Sequence, residues 1–233
     1  MMKSKKIFSA SNVMMFVCVL VFIVGLTVFF SPQISKYFIQ STGKQEMKLT
    51  HEQMKNNLKK KASFNSEEIS PMTTKELVAH QLEDKDMAGI GIISIPDIHL
   101  ELPIFNGVTY ETMMYGAGTA KPNQIMGQGN YALASHTIFN EFTGAIVNGV
   151  LFGNLVYAKS GQEIYLTDKD KVFAYQIDKV SIVNVSQGTI IDDTKGKREI
   201  TLYTCTSLVG TNRLVVHGKL DKQYSYQEMK EKF

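Results

Sequence analysis

The sequence predicts an all-β domain, closed as a barrel or folded as a sandwich, carried behind an N-terminal membrane anchor and a stalk. Three observations predict it. An apolar stretch runs unbroken from Val13 to Phe30, with no charged residue between Lys6 and Lys36. Residues 31–62 are polar and Lys-rich. From Gly89 onward, short runs rich in Ile, Val, Tyr and Thr alternate with turn residues, the texture of a closed or sandwiched β domain.

Composition narrows the choice. The chain of 233 residues is 44% hydrophobic and 20% charged, an ordered globular balance. Mean hydropathy of −0.08 excludes a multi-span membrane protein. The net charge of +3 comes entirely from Lys3, Lys5 and Lys6. The remaining 22 basic residues (25 less 3) match 22 acidic ones, so the body is neutral and lacks the basic surplus of a nucleic-acid-binding domain.

The anchor is expected over residues 13–31. About 18–20 apolar residues at 1.5 Å each cross a ~30 Å hydrocarbon layer, whereas a soluble helix of this length keeps a polar face. A cleaved signal peptide has a shorter apolar region ending in small residues, and Ser31-Pro32-Gln33-Ile34 follows here instead. The three Lys of residues 1–12 outweigh Lys36, Lys44 and Lys48 set against Glu46, which favours a cytoplasmic tail and an external body. Residues 32–87 read as a partly helical stalk that lifts the domain off the membrane. Within it, Thr73 with Glu76 three residues on marks the start of a helix reaching Leu82.

The β region follows in order. Gly91–Ile95 reads as a strand ended by Pro96, and 100–105 as another with Pro103 at an edge or bulge. Residues 108–115 read as a short helix stopped by Gly116-Ala117-Gly118, and 121–129 as a loop. Strands are expected over 130–136, 162–167, 172–185, 199–205 and 213–220. The glycine pairs around Gly89 and Gly116 lack the third glycine and the long helix of a dinucleotide fingerprint, so they read as turns.

Two cysteines are present, Cys18 in the anchor and Cys205 in the body. A lone external thiol has no intramolecular disulfide partner, which leaves a reactive or an inert buried group. In Glu199–Cys205, Thr201, Tyr203 and Cys205 share one face of the strand. A hairpin with the seven-residue loop Thr206–Asn212 sets Arg213 directly across, with Cβ atoms about 5 Å apart. A guanidinium there favours the thiolate, the reactive form. A nucleophile also needs a proton-handling partner. His51 lies in the stalk, His80 in the first helix of that segment and His99 in a tight turn. His136 and His217 both remain candidates, and strand alternation does not choose between them.

At this point the pattern resembles a known family. Thr201-Leu202-Tyr203-Thr204-Cys205 is similar to the sortase TLxTC signature. Tyr131–His136 is similar to that family's catalytic-histidine strand, and Arg213 matches its arginine. The likeness covers residues 88–222, with the anchor in support. It implies a sortase-like closed β-barrel of about eight strands with short helices over 88–222, followed by a polar tail over 223–233. It also implies a membrane-anchored cysteine transpeptidase on the extracellular face. Such an enzyme cleaves an LPxTG-type signal between Thr and Gly through a thioacyl-enzyme and joins the surface protein to a cell-wall precursor amine, that of lipid II. By that likeness Cys205 is the nucleophile, His136 rather than His217 the acid and base, and Arg213 the oxyanion or backbone ligand. Ala134, Ser135 and Thr204 are expected substrate-groove positions, and Ser186–Lys197 a closing loop.

The resemblance is to class A. The stretch 187–198 is too short for the helical insertion of class B. Asp84-Lys85-Asp86-Met87 lacks the Asp-Pro-aromatic lid of pilin-type class C. No cofactor and no metal are expected. Calcium needs about six oxygens, yet no Asp or Glu lies between Thr112 and His136, and Asp192 with Asp193 alone makes a poor site. The rival readings are a secreted-side cysteine peptidase, a pilin-type sortase, an L,D-type transpeptidase (whose Ser-x-Gly-Cys context differs from Thr204-Cys205) and a non-catalytic binding domain.

Overall fold

The computed structural model describes residues 10–64, 72–73, 87–140, 143–186 and 188–233. Two helices come first, α1 (Ala10–Glu46) and α2 (His51–Asn57), the second opened by a Thr50–Gln53 capping box. A two-residue strand, β1 (Met72–Thr73), precedes the main body. Then come β2 (Gly89–Ile95), β3 (Leu100–Phe105), the short helix α3 (Tyr110–Tyr115), β4 (Ala117–Thr119), β5 (Asn130–Ala134) and β6 (Ile138–Phe139). After a 3-10 turn over Leu151–Tyr157 follow β7 (Glu163–Thr167), β8 (Lys171–Asn184), β9 (Glu199–Cys205), β10 (Asn212–Ser225) and α4 (Tyr226–Met229).

Eight of these strands close into a barrel in the order β10-β8-β7-β2-β3-β4-β5-β9. Most neighbours are antiparallel, but β3–β4 and β5–β9 are parallel. Closure follows from the side-chain pattern. Alternate residues such as Ile200 and Leu202 of β9, Tyr131 and Leu133 of β5, and Ile164 and Leu166 of β7 enter one core with Ile93, Ile95 and Ile104. Each fully buried Leu or Ile contributes roughly 1.5–3 kcal/mol relative to exposure. A closed barrel also leaves no free sheet edge. β1 and β6 pair in parallel outside the barrel.

Three features differ from the sequence reading, and a further expectation lies outside the described residues. The segment around Gly116-Ala117-Gly118 is not only a helix stop: it forms β4. A Cβ at Gly116 would clash with the Pro103 carbonyl oxygen, and one at Gly118 with that of Gly107. The glycines are there for close backbone approach, which a turn-based reading does not capture. Thr73 lies in β1, and the helix expected from it to Leu82 falls outside the described residues. The stalk does not stand clear of the domain. α1 is unbroken to Glu46, and its Ile39 is buried against Phe105, Met114, Tyr115 and Leu151.

The third difference is at the chain end, expected to be a polar tail from residue 223. β10 continues to Ser225, and Tyr224, Tyr226, Met229 and Phe233 cover Tyr165, Val172 and Ala174 on the outside of the barrel. Ser94 Oγ donates to the Lys232 carbonyl (2.6 Å), and the Lys232 ammonium lies 5.4 Å from the Tyr165 ring centroid. Removing residues 226–233 would expose that apolar face at a cost of about 2 kcal/mol. The expected outcome is a thermal midpoint lowered by about 5 °C in scanning calorimetry; an unchanged midpoint would show that the end is a passive tail.

Candidate active site

The hairpin of β9 and β10 pairs Cys205 with Arg213, the last pair before the loop. Arg213 is largely buried, and its Nη1 donates to the Gly210 carbonyl (2.6 Å) and more weakly to that of Asn212 (3.3 Å). The loop's own carbonyls therefore hold the guanidinium on the thiol side of the sheet. Cys205 is only 2% exposed. Burial pushes its thiol up from the ordinary value, and the Arg213 charge offsets part of that rise. At neutral pH the resting group is the thiol, and the thiolate is a minority form.

His136 follows β5, and the parallel β5–β9 ladder sets its position. Ala132 pairs with Thr201 and Ala134 with Tyr203. Continued two residues past the last ladder pair, the same register leads His136 toward Cys205. Thr204 pins that register. Its Oγ1 donates to the Ser135 carbonyl (2.7 Å), and the Thr137 and Thr204 hydroxyls are 2.8 Å apart. Since the single Thr204 proton goes to Ser135, Thr137 is the donor in the second bond. The residues on both sides of His136 are thus tied to the residue before Cys205. The Phe152 amide donates to the His136 carbonyl (3.2 Å) and holds the segment from the other side.

The competing histidine is elsewhere. His217 pairs with Thr201, four residues along β10 from Arg213, or roughly 13 Å. Its Nδ1 lies 2.6 Å from Asp178 Oδ1 and its Nε2 3.6 Å from Glu199. Burial works to raise the Asp178 carboxyl, but hydrogen bonds from Lys219 and His217 outweigh it and hold Asp178 below the usual range. His217 belongs to a charge cluster at the far end of the strand.

Ala134, Ser135 and Thr204, expected to line a groove, all lie beneath the surface. Ser135 Oγ donates to the Gly116 carbonyl (2.6 Å), the Thr204 hydroxyl is used as described, and Ala134 packs with Val108, Met113 and Tyr203. Sequence reasoning missed Thr137, because attention ended at the histidine, and Tyr110, whose ring centroid is 5.2 Å from that of His136. Hydroxyls at 137 and 204 give no pattern that would have linked them.

The loop between β8 and β9 carries a 3-10 turn over Gly188–Ile191, and Ile190 and Ile191 pack toward Ala132, Ala134, Tyr203 and Val215. Asn130 fastens it: Nδ2 donates to the Ile190 carbonyl (3.1 Å), while Oδ1 accepts from Thr201 Oγ1 (2.9 Å). Asp193 accepts from Lys121 and from the Asn130 amide (2.7 Å). The Lys121 hydrogen bond, then that of Asn130, hold its carboxyl below the usual range. A fixed ammonium thus occupies the acid weighed earlier as a calcium ligand. Among the described residues no cluster of acids, cysteines or histidines could hold a metal ion.

A lone thiol laddered to an arginine, with a histidine segment clamped alongside, is the layout of a cysteine acyl-transfer enzyme. The comparisons agree. The sortase domain model matches residues 93–221. Sortase A of Streptococcus agalactiae is 42% identical over 207 residues, covering 88% of this chain and 83% of that one. Sortase A of Listeria monocytogenes is 32% identical over 213 residues, covering 88% and 90%. The crystal structure of that enzyme aligns with a TM-score of 0.53 over 59% of this chain and 90% of its own. The chain belongs to the sortase family, class A, and is a cysteine transpeptidase.

The raised Cys205 thiol has a measurable consequence. While pH stays below the raised value, each unit of pH multiplies the thiolate by ten. Alkylation of Cys205 by iodoacetamide should climb about tenfold per unit from pH 6 to 9, with no plateau. Arg213→Ala removes the offsetting charge and should slow alkylation at pH 8. A plateau below pH 8 would mean that the thiolate already dominates.

Proposed function

We infer that this protein anchors surface proteins to the cell wall by cleaving an LPxTG-type signal between Thr and Gly. Cys205 Sγ attacks the threonine carbonyl carbon, and the C–N bond to glycine breaks as His136 protonates the leaving amine. The threonyl thioester on Cys205 is then attacked by the amine of a cell-wall precursor such as lipid II. His136 takes the proton from that amine, the C–S bond breaks, and the thiol is restored. Arg213 stabilises the oxyanion or holds the substrate backbone; losing one such donor typically costs 10²–10³-fold in rate. The register that aligns Cys205, Arg213 and the His136 segment carries this reading.

Residues 13–31 serve as the anchor in this reading, with residues 1–12 inside and the catalytic domain, residues 88–222, outside. Among the described residues no helix is long and apolar enough to cross a membrane. What supports the anchor is the apolar sequence on a continuous helix and the exposure of its side chains, with Met14, Phe16 and Phe22 each about two-thirds exposed. From Ser31 to the buried Ile39 is eight residues, roughly 12 Å, so the barrel sits at the membrane face rather than on a tall stalk.

The enzyme works without calcium in this reading, because Lys121 supplies the positive charge that fastens Asp193. The test uses the full chain in detergent with an LPxTG peptide and an amine acceptor. A thioacyl adduct on Cys205, ligated product, no product from Cys205→Ala and no loss on chelation are the expected results. Hydrolysed peptide without ligation would identify a peptidase instead, and a large loss on chelation would show that a cation holds the loop.

A further inference from the structure

His136 has an aromatic neighbour that the proposed chemistry leaves unused. Tyr110 is the first residue of α3, and its backbone is pinned on both sides. Thr109 Oγ1 accepts from the Thr112 amide (3.2 Å) and Thr112 Oγ1 accepts from the Thr109 amide (2.9 Å). The Thr112 hydroxyl in turn donates toward the Thr109 and Gly107 carbonyls (3.1 and 3.2 Å). The Tyr110 ring also packs on the apolar cluster of Phe105, Met114 and Ile138, with Leu102 and Val147 beside it. So held, the ring lies with its centroid 5.2 Å from that of His136 at an interplanar angle of 58°, a tilted aromatic contact. The Tyr110 hydroxyl oxygen and both imidazole nitrogens are shielded from solvent.

The chemistry asks for an imidazolium in that pocket. The elements that meet at His136 carry Tyr110 from α3, in ring contact with it, and Cys205 from β9 with Arg213 paired to it from β10. His136 is buried, and burial disfavours the cation. An aromatic ring attracts a cation within about 6 Å, more strongly when water is excluded. We propose that Tyr110 is a positioning residue for His136: its ring fixes the imidazole orientation and favours the imidazolium, enlarging the minority thiolate–imidazolium population that reacts.

The proposal rests on the sortase reading of His136, and its first test needs no substrate. In the full chain carrying Cys205→Ala, with histidine labelled in the ring carbon, the His136 titration is followed by NMR. Tyr110→Phe keeps the aromatic ring and should titrate like the parent. Tyr110→Met and Tyr110→Leu keep apolar bulk without the ring, and either one, shown folded by circular dichroism, should titrate about half a unit to one unit lower. With Cys205 restored, the acid limb of kcat/KM should move down by the same amount. Its plateau should fall by the matching factor, about three- to tenfold, while Tyr110→Phe stays within about twofold. A folded Met or Leu variant with the parent's titration and pH profile overturns the proposal. So does a Phe variant as impaired as the other two, since the hydroxyl would then matter and not the ring.

Discussion

One hydroxyl joins the two halves of the site. Cys205 ends β9 and His136 lies in the segment after β5, and the parallel β5–β9 contact leads the two segments toward each other. Thr204 Oγ1, bonded to the Ser135 carbonyl and to the Thr137 hydroxyl, fastens that contact where the ladder itself has ended. Both bonds are buried, so losing them strands a carbonyl and a hydroxyl away from water, at about 1–3 kcal/mol each. The same two bonds fasten the residues on either side of His136 to the residue before Cys205, which couples the stability of the barrel rim to its chemistry.

Around that clamp the site is arranged to be dry. Cys205, His136 and Arg213 are all buried, and the thiol is pushed toward its neutral form. A dry pocket strengthens each interaction with developing charge but makes the resting ion pair scarce. The loop between β8 and β9 is held by Asn130 and by the Lys121–Asp193 pair, so the wall beside Tyr203 and Ala134 depends on contacts made at the other end of β5. The site is therefore shaped by two sets of polar ties, one at each end of the same strand.

Local relations were legible in the sequence. The Cys205–Arg213 pairing depends only on a strand, a short loop and a strand, and hairpin alternation is enough to read it. The limits of β9 were legible for the same reason. The choice between His136 and His217 was not, because the sequence pattern reads both as strand positions and alternation does not choose between them; only the resemblance to sortases separated them. The structure separates them by register, at opposite ends of the strand. β4 was missed because glycine carries no strand pattern, although close backbone contact is what requires it there. The docked end was missed because its apolar residues, Tyr226, Met229 and Phe233, are spaced among charges. Ala134, Ser135 and Thr204 are buried like Cys205 and His136 themselves, and adjacency to the reactive residues in sequence does not say which side chains face a substrate.

The clamp is tested most directly by measuring the rate of thioacyl formation on Cys205 in Thr204→Val and Thr204→Ser. The serine variant keeps the hydroxyl and should acylate within a few-fold of the parent. The valine variant keeps the shape, loses both bonds, and should acylate at least about tenfold more slowly while remaining folded. A folded valine variant that acylates at the parent rate would contradict the account, since the histidine segment would then be held in place by something other than Thr204.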